Sequence, residues 1–145
     1  MKNKVDIIKQ INLKAKGTLV ENLGIVITDI DSLSVSGKMP VDNRTLQPFG
    51  LLHGGASVAL AETLGSIAGG MQVDFKTHSV VGIEISSSHL RSVSNGWVYG
   101  KANAVRVGKK IQVWEISITN SSNKIISKSR LTLAVIKNDK QHSDK

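Results

Sequence analysis

Met39-Pro40-Val41-Asp42-Asn43-Arg44-Thr45-Leu46-Gln47-Pro48-Phe49-Gly50-Leu51-Leu52-His53-Gly54-Gly55-Ala56-Ser57, followed by Ala61-Glu62-Thr63-Leu64-Gly65-Ser66, is the stretch on which the reading of this chain turns. A polar loop ends in His-Gly-Gly and runs directly into a segment of small and apolar residues. The spacing predicts a helix from about Gly54 to about Gly70, where the Gly69-Gly70 pair is a natural stop. A helix start leaves its first N–H groups without intrahelical partners and is the positive end of the macrodipole. Glycine lets a ligand approach the backbone closely. Gly54 and Gly55 can therefore aim N–H groups at a developing oxyanion, where losing one donor costs roughly 3 kcal/mol of transition-state stabilisation. The plainer reading of the two glycines is a tight turn into the helix.

Glu62 adds chemistry to that helix. At 3.6 residues per turn Leu60, Leu64, Ile67 and Met71 share one face, and Gly55, Ala59, Glu62, Ser66 and Gly69 share another. No other charged residue stands between Gly54 and Met71. A solvated face would carry several charges, so the lone carboxylate is read as a working group. It can serve as a nucleophile or as a general base for water, and the residues leave both open. Gly55 and Glu62 are seven residues apart, about 10 Å of helical rise. The side chain leans back toward the N-terminus and closes part of that gap. One helix still serves both ends of a single carbonyl awkwardly. Two protomers, one giving Gly55 and the other Glu62, serve it more easily.

Outward from the helix, alternating segments read as strands at Ile25 to Ile30 and Ser34 to Val41, joined by a turn at Asp31-Ser32. Four more follow at Val80 to Leu90, Gly96 to Val107, Ile111 to Thr119 and Ile125 to Ile136. Turns at Ser94-Asn95-Gly96, Gly108-Lys109-Lys110 and Asn120 to Asn123 are short, which demands antiparallel neighbours. The fold class is α+β, with one long helix amid an antiparallel sheet. Val5, Ile8 and Ile11, with Ile7 beside them, suggest a short amphipathic helix, and Thr18 to Leu23 another turn ended by Gly24. One domain spans residues 1–145, with residues 1–16 as an N-terminal extension and Asn138 to Lys145 as a disordered tail.

Composition narrows the function classes. The 145 residues suffice for a single core, and 40% hydrophobic with 21% charged is ordinary for a globular domain. Aromatics at 3% predict an aliphatic core. No apolar run approaches the length of a membrane span and no signal-peptide core follows Met1, so a cytoplasmic protein with no membrane partner is expected. The absence of cysteine excludes disulfides and thiolate metal sites. His78, in a loop, and His142, in the tail, have no metal-ligand spacing partner. No metal or cofactor is called for. A net charge of +8 invites a nucleic-acid reading. Lysines gather at the chain ends, stacking aromatics are scarce and no recognised motif appears, so no nucleic-acid partner is expected. Some internal positive charge can instead attract a polyanionic ligand. Arg130, in the last strand, binds a phosphate or pairs across the sheet, and Lys109, at a hairpin tip, is a second phosphate candidate. His89 and Arg91, two apart on a strand, share a face. Asp42 and Arg44 read as structural, holding the loop that presents Gln47.

The run from Pro40 to Ser66 resembles the hotdog-fold acyl-CoA thioesterases of the phenylacetate/4-hydroxybenzoyl-CoA type. Within that group it is similar to the branch of the 1,4-dihydroxy-2-naphthoyl-CoA hydrolases of menaquinone synthesis and the enterobactin-pathway proofreading thioesterases. Later runs keep the order: Val80-Val81-Gly82-Ile83-Glu84-Ile85, His89-Leu90-Arg91-Ser92, Gln112-Val113-Trp114-Glu115-Ile116 and Ser129-Arg130-Leu131-Thr132. The resemblance covers roughly Gly24 to Ile136 and implies a sheet wrapped around one central helix. It implies hydrolysis of an aromatic acyl-CoA without a cofactor. It also implies a homodimer or dimer-of-dimers tetramer with the site at an interface. Glu62 matches the catalytic carboxylate, and Gly55 the backbone N–H that polarises the thioester oxygen. His53 and Gln47 match residues that position the thioester and water, and Ser66 the hydroxyl one turn beyond the acid. His89 and Arg91 match positions at the ligand channel or its mouth. The two ends depart from the family pattern, which leaves acyl specificity open. A non-catalytic acyl-CoA sensor would not need Glu62, Gln47, His53 and Gly55 together. A hotdog dehydratase needs a His/Asp or His/Glu pair that the spacing of Asp42 and His53 does not provide.

Overall fold

Residues that alternate between apolar and polar form six strands, and a computed structural model, which describes residues 3–139, assembles them into one antiparallel sheet. The elements are α1 (Lys4–Lys14), α2 (Leu19–Asn22), β1 (Val26–Asp31), β2 (Ser34–Pro40), α3 (Gly54–Gly70), β3 (His78–His89), β4 (Trp97–Val107), β5 (Ile111–Asn120) and β6 (Ile125–Lys137). The sheet order is β1-β2-β4-β5-β6-β3. β3 follows α3 in the chain yet lies at the far edge, paired with β6. α3 rests across one face and touches β2, β3, β4, β5 and β6. This is the wrapped-helix arrangement that the sequence predicts.

Missing side chains set how closely α3 and the sheet approach. A methyl built on Gly37 of β2 would lie 2.8 Å from Leu64, and one on Gly100 of β4 would lie 2.6 Å from it. On the helix side, a methyl on Gly65 would meet Leu131 at 2.6 Å, and one on Gly69 would collide with Leu133. Leu64 is therefore seated against β2 and β4, while Gly65 and Gly69 are seated against β5 and β6. Because a twisted sheet covers a changing side of a straight helix, the face assignment made from periodicity needs correction. Leu60 and Leu64 are buried, but Ile67 is half-buried and Met71 exposed at the C-cap. Gly69, expected beside Glu62, is buried instead.

The aliphatic core is also corrected. Trp114 lies fully buried in it, while Phe49, Phe75, Trp97 and Tyr99 are exposed. A buried indole needs a partner for its N–H. Trp114 Nε1 donates to Gln112 Oε1 at 3.0 Å, and Gln112 Nε2 donates to the Gly69 carbonyl at 3.3 Å. The tryptophan is thus tied to the C-terminal turn of α3.

The described residues near both ends of the chain are tied to the rest of the fold, and the expected N-terminal helix is present as α1. Asn12 of α1 replaces ladder bonds on β1: its Nδ2 donates to the Ile27 carbonyl at 2.9 Å, and its Oδ1 accepts from the Ile27 N–H at 2.9 Å. Lys4 meets Asp29 at 2.5 Å. Ile7, Ile8 and Ile11 pack against the core, but Val5 points out, 71% exposed. Asn138, read as the first residue of a disordered tail, is held because its polar groups satisfy the α3–β3 loop. Its N–H donates to the Thr77 carbonyl at 2.9 Å and its Nδ2 to the Phe75 carbonyl at 2.8 Å. Ser79 Oγ donates to its Oδ1. That clasp extends pairing to Lys137, so His78, expected in a loop, is the first residue of β3. Residues 140–145, with the rest of the expected tail and His142, lie outside the described residues. No helix among the described residues is long and apolar enough to cross a membrane.

Overpacking costs about 1–3 kcal/mol, more than the ~1 kcal/mol that alanine gains over glycine in a helix. Gly69→Ala is therefore expected to lower the urea midpoint of unfolding. An unchanged or raised midpoint would show that Leu133 and Gln112 have room to give.

Candidate active site

The loop before α3 is built by short polar contacts. Thr45 Oγ1 donates to the Pro40 carbonyl at 2.7 Å, and the His53 N–H donates to the Thr45 carbonyl at 2.8 Å. Arg44 forks onto the Asp42 carboxylate, with Nη2 at 2.7 Å, and holds that carboxyl below its usual range. These contacts support the structural reading of Asp42 and Arg44. Leu46 and Leu52 pair as an antiparallel bridge, which closes a small loop over residues 47–51. Gly50 turns that loop with φ at +78°, a region glycine enters without strain. Gln47 is half-buried, and its Oε1 accepts from the Phe49 N–H. Phe49 itself is 90% exposed.

His53 is the N-cap of α3 and does with its ring what serine or aspartate usually does. Its Nδ1 accepts from the Gly55 N–H at 2.8 Å. A neutral ring whose Nδ1 accepts carries its proton on Nε2. The Gly55 donor is therefore aimed out of the helix start but occupied by the side chain two residues before it. His89, at the end of β3, lies over the same turn. A methyl on Gly54 would be 3.0 Å from His89 Nε2. Two imidazoles and two glycines thus meet at the positive end of α3.

Two turns further along, Glu62 is exposed in the single chain, contrary to the expectation that it avoids a solvated face. Its surroundings account for this. It lines an open apolar groove of about 880 Å³ together with Ser66 and Thr63, and α1 forms the opposite wall. Its Oε1 lies 2.9 Å from where a methyl on Gly82 would stand, so the carboxylate reaches the backbone of β3. The pairing of β3 with β6 shifts by one residue between Gly82 and Glu84. Bulges of this kind favour positions beside active sites, and a glycine inside a strand marks a close approach. Gly82 was not singled out from the sequence, although that signal was present. Ile7, Ile11 and Phe75, which also line the groove, carried no such signal.

Three candidates lie apart from this cluster. β3 ends at His89, so Arg91 is in the extended segment beyond it, and the argument for a shared strand face fails. Arg91 is exposed two residues beyond His89, its N–H bonded to the Ile126 carbonyl at 3.3 Å. Arg130 is exposed on the sheet face opposite α3, because Leu131 and Leu133 beside it turn inward. It stands across from Glu115, whose carboxyl is held below its usual range by Lys128 first and Arg130 after it. Lys109 sits at the β4–β5 turn and lines a separate hollow of about 450 Å³ with Asp74 and His78. That hollow also includes Gln112, next to Gly69, so it lies at the opposite end of α3 from Gly54.

A carboxylate on an apolar groove and N–H donors at a helix start are the parts of an acyl-transfer site on a wrapped-helix fold. Residues 49–127 match the sequence model of the Thioesterase superfamily. The proofreading thioesterase EntH of Cronobacter turicensis is 48% identical over 129 residues, 89% of this chain and 93% of that protein. EntH of Klebsiella pneumoniae is 43% identical over 126 residues, 87% of this chain and 91% of that protein. The crystal structure of a thioesterase from Haemophilus influenzae superposes with a TM-score of 0.89 at 44% identity, covering 93% of this chain and 94% of that one. The chain belongs to the thioesterase superfamily and has its hotdog fold. It is an enzyme, a thioester hydrolase.

Gly82→Ala places a methyl against Glu62. The carboxylate is flexible and gives way, so folding is expected to survive. With Glu62 taken as the acting carboxylate, a displacement of about 1 Å can cost on the order of 10²-fold, and kcat for thioester cleavage is expected to fall about 10- to 100-fold. An unchanged kcat would make the contact between Glu62 and β3 incidental.

Proposed function

We propose that the protein is a cytoplasmic acyl-CoA thioesterase acting on a bulky aromatic acyl group such as 1,4-dihydroxy-2-naphthoyl. The observation that carries this reading is Glu62, the one carboxylate lining an apolar groove, one turn from Ser66 and against the Gly82 bulge. The thioester lies with its carbonyl carbon near Glu62 and its oxygen toward the Gly55 N–H of a helix start. For that oxygen to take the Gly55 donor, the His53 ring shares it or turns aside. Gln47 and His53 orient thioester and water, and Ser66 offers a hydroxyl beside the acid. Two routes remain in the chemistry. As a base, Glu62 takes a proton from water while the oxygen adds to the carbonyl, and the collapsing intermediate expels the thiolate, which regains that proton. As a nucleophile, Glu62 displaces the thiolate to form an anhydride, which water then opens. His89 and Arg91 are proposed to flank the ligand's entry. Arg130 and Lys109, each away from the Glu62 groove of their own chain, are weaker candidates for the nucleotide phosphates.

A second reading is favoured by the relatives named as proofreading thioesterases: removal of aryl groups wrongly loaded on a carrier protein. The two differ in the thiol carrier and not in the chemistry at Glu62. Following thiol release from aryl- and alkyl-CoAs and from acylated carrier protein separates them. No release from any of them would overturn both readings. Glu62→Gln keeps the side chain's shape and removes its charge. It is expected to lower kcat at least ~10²-fold, the lower end for general acid–base work, with the thermal midpoint retained.

We further propose a site shared between two copies of the chain. β3 is a twelve-residue sheet edge without lysine or proline to block pairing, and Val81 and Ile83 on it are 43% and 57% exposed. Glu62 stands at that edge, and Gly55 is about 10 Å away along the helix. Antiparallel pairing of two β3 strands would bring the helix start of one copy toward the carboxylate of the other. Mixing inactive Glu62→Gln and His53→Ala proteins, with subunit exchange verified, is expected to restore activity, because each heterodimer holds one intact site. Continued inactivity would place the whole site in one protomer.

A further inference from the structure

We propose that the two ends of the chain select the acyl group: α1 as the groove wall, and Asn138 as the residue that positions Phe75 at the groove's far end. The inference deepens the thioesterase reading of Glu62 and rests on it. The groove floor follows α3 from Glu62 past Ser66 and Ile67 to Gly70. Those eight residue steps rise about 12 Å. Ile7 and Ile11, one turn apart on α1, face that floor. No residue of α1 is fully buried, so these side chains line the groove without belonging to the core. The helix is nonetheless held in place by the paired bonds between Asn12 and Ile27.

The far end is closed by Phe75. Its ring lies 3.1 Å from where a methyl on Gly70 would stand. The side chain is 66% exposed, so packing alone does not hold it. Its backbone is held instead: the Phe75 carbonyl accepts from Asn138 Nδ2 at 2.8 Å, and the Asn138 N–H ties down Thr77. Among the lining residues only Glu62 and Lys14 are charged. The groove is therefore suited to an elongated, neutral, apolar acyl group longer than a single ring, a fused aryl or medium-chain alkyl group. Its volume of about 880 Å³ is in the upper part of the range for small-molecule sites.

The test compares acetyl-, benzoyl-, 2-naphthoyl- and decanoyl-CoA on the wild type, Ile11→Trp, Phe75→Ala, Asn138→Ala and the last two combined. One extra or missing methylene in an apolar pocket shifts specificity about 10- to 200-fold. Ile11→Trp is expected to lower the ratio of kcat/KM for naphthoyl over acetyl at least ~10-fold. Ile11→Ala, which serves if the tryptophan variant does not fold, is expected to raise that ratio. Asn138→Ala is expected to change the ratio in the same direction as Phe75→Ala, and the double variant to match Phe75→Ala alone, because Asn138 acts through Phe75. Dissociation constants for non-hydrolysable thioether analogues of the same four groups should follow the same order. If the wild type binds these analogues by length but cleaves no thioester, the thioesterase reading fails and the groove assignment stands. Parallel losses for all four acyl groups, or additive effects of Asn138→Ala and Phe75→Ala, would overturn the assignment.

Discussion

The close seating of α3 on the sheet is the constraint on which the rest depends. Glycines on both surfaces let Leu64, Leu131 and Leu133 fill the space where methyl groups would otherwise stand. With one side of the helix committed to β2, β4, β5 and β6, its other side is left to face α1 and the edge strand β3. Glu62 lies on that other side, so the packing that stabilises the fold also decides which way the carboxylate points. The buried pair Gln112 and Trp114 fixes the far end of the helix through Gly69.

The N-terminal end of α3 carries a second consequence of local chemistry. A histidine cap leaves a backbone donor satisfied in the free protein by a group that can rotate. A serine or aspartate cap would bind the N2 or N3 donor with a short side chain and little freedom to leave. The imidazole, by contrast, has an N–H of its own to offer on the other side of the ring. Donor and cap can therefore both turn to a carbonyl oxygen without leaving the helix start unsatisfied.

Much of this was legible in the residues. The bounds of α3 follow from His53, the glycines after it and the Gly69-Gly70 stop, and the strands follow from alternation between clear turn residues. The convergence of His53, Gly55 and His89 at one helix end was not readable from spacing, because His89 arrives at the end of an edge strand, 36 residues after His53 in the chain. Periodicity placed Gly69 beside Glu62 because it treats a helix as seen by a flat surface, whereas this sheet turns around it. The roles of Asn12 and Asn138 were hidden for another reason. A single amide that satisfies a distant backbone leaves no local pattern, and its polar neighbours suggest only a solvated terminus. Trp114 was missed in the core because composition counts aromatics without saying where one finds a buried partner.

The wall of the groove and the core of the fold are made from largely different residues, with Ile27 belonging to both. Leu60, Leu64, Ile116 and Leu131, core side chains that carry the folding energy, do not line the groove. The wall formed by α1 is held to the sheet edge largely by one asparagine, one exposed ion pair and half-buried isoleucines. Substitutions on that wall are largely released from the packing demands that constrain the sheet. A lineage carrying this architecture can change what it accepts in small, nearly independent steps while the carboxylate and the helix beneath it stay as they are, and that separation makes the scaffold evolvable.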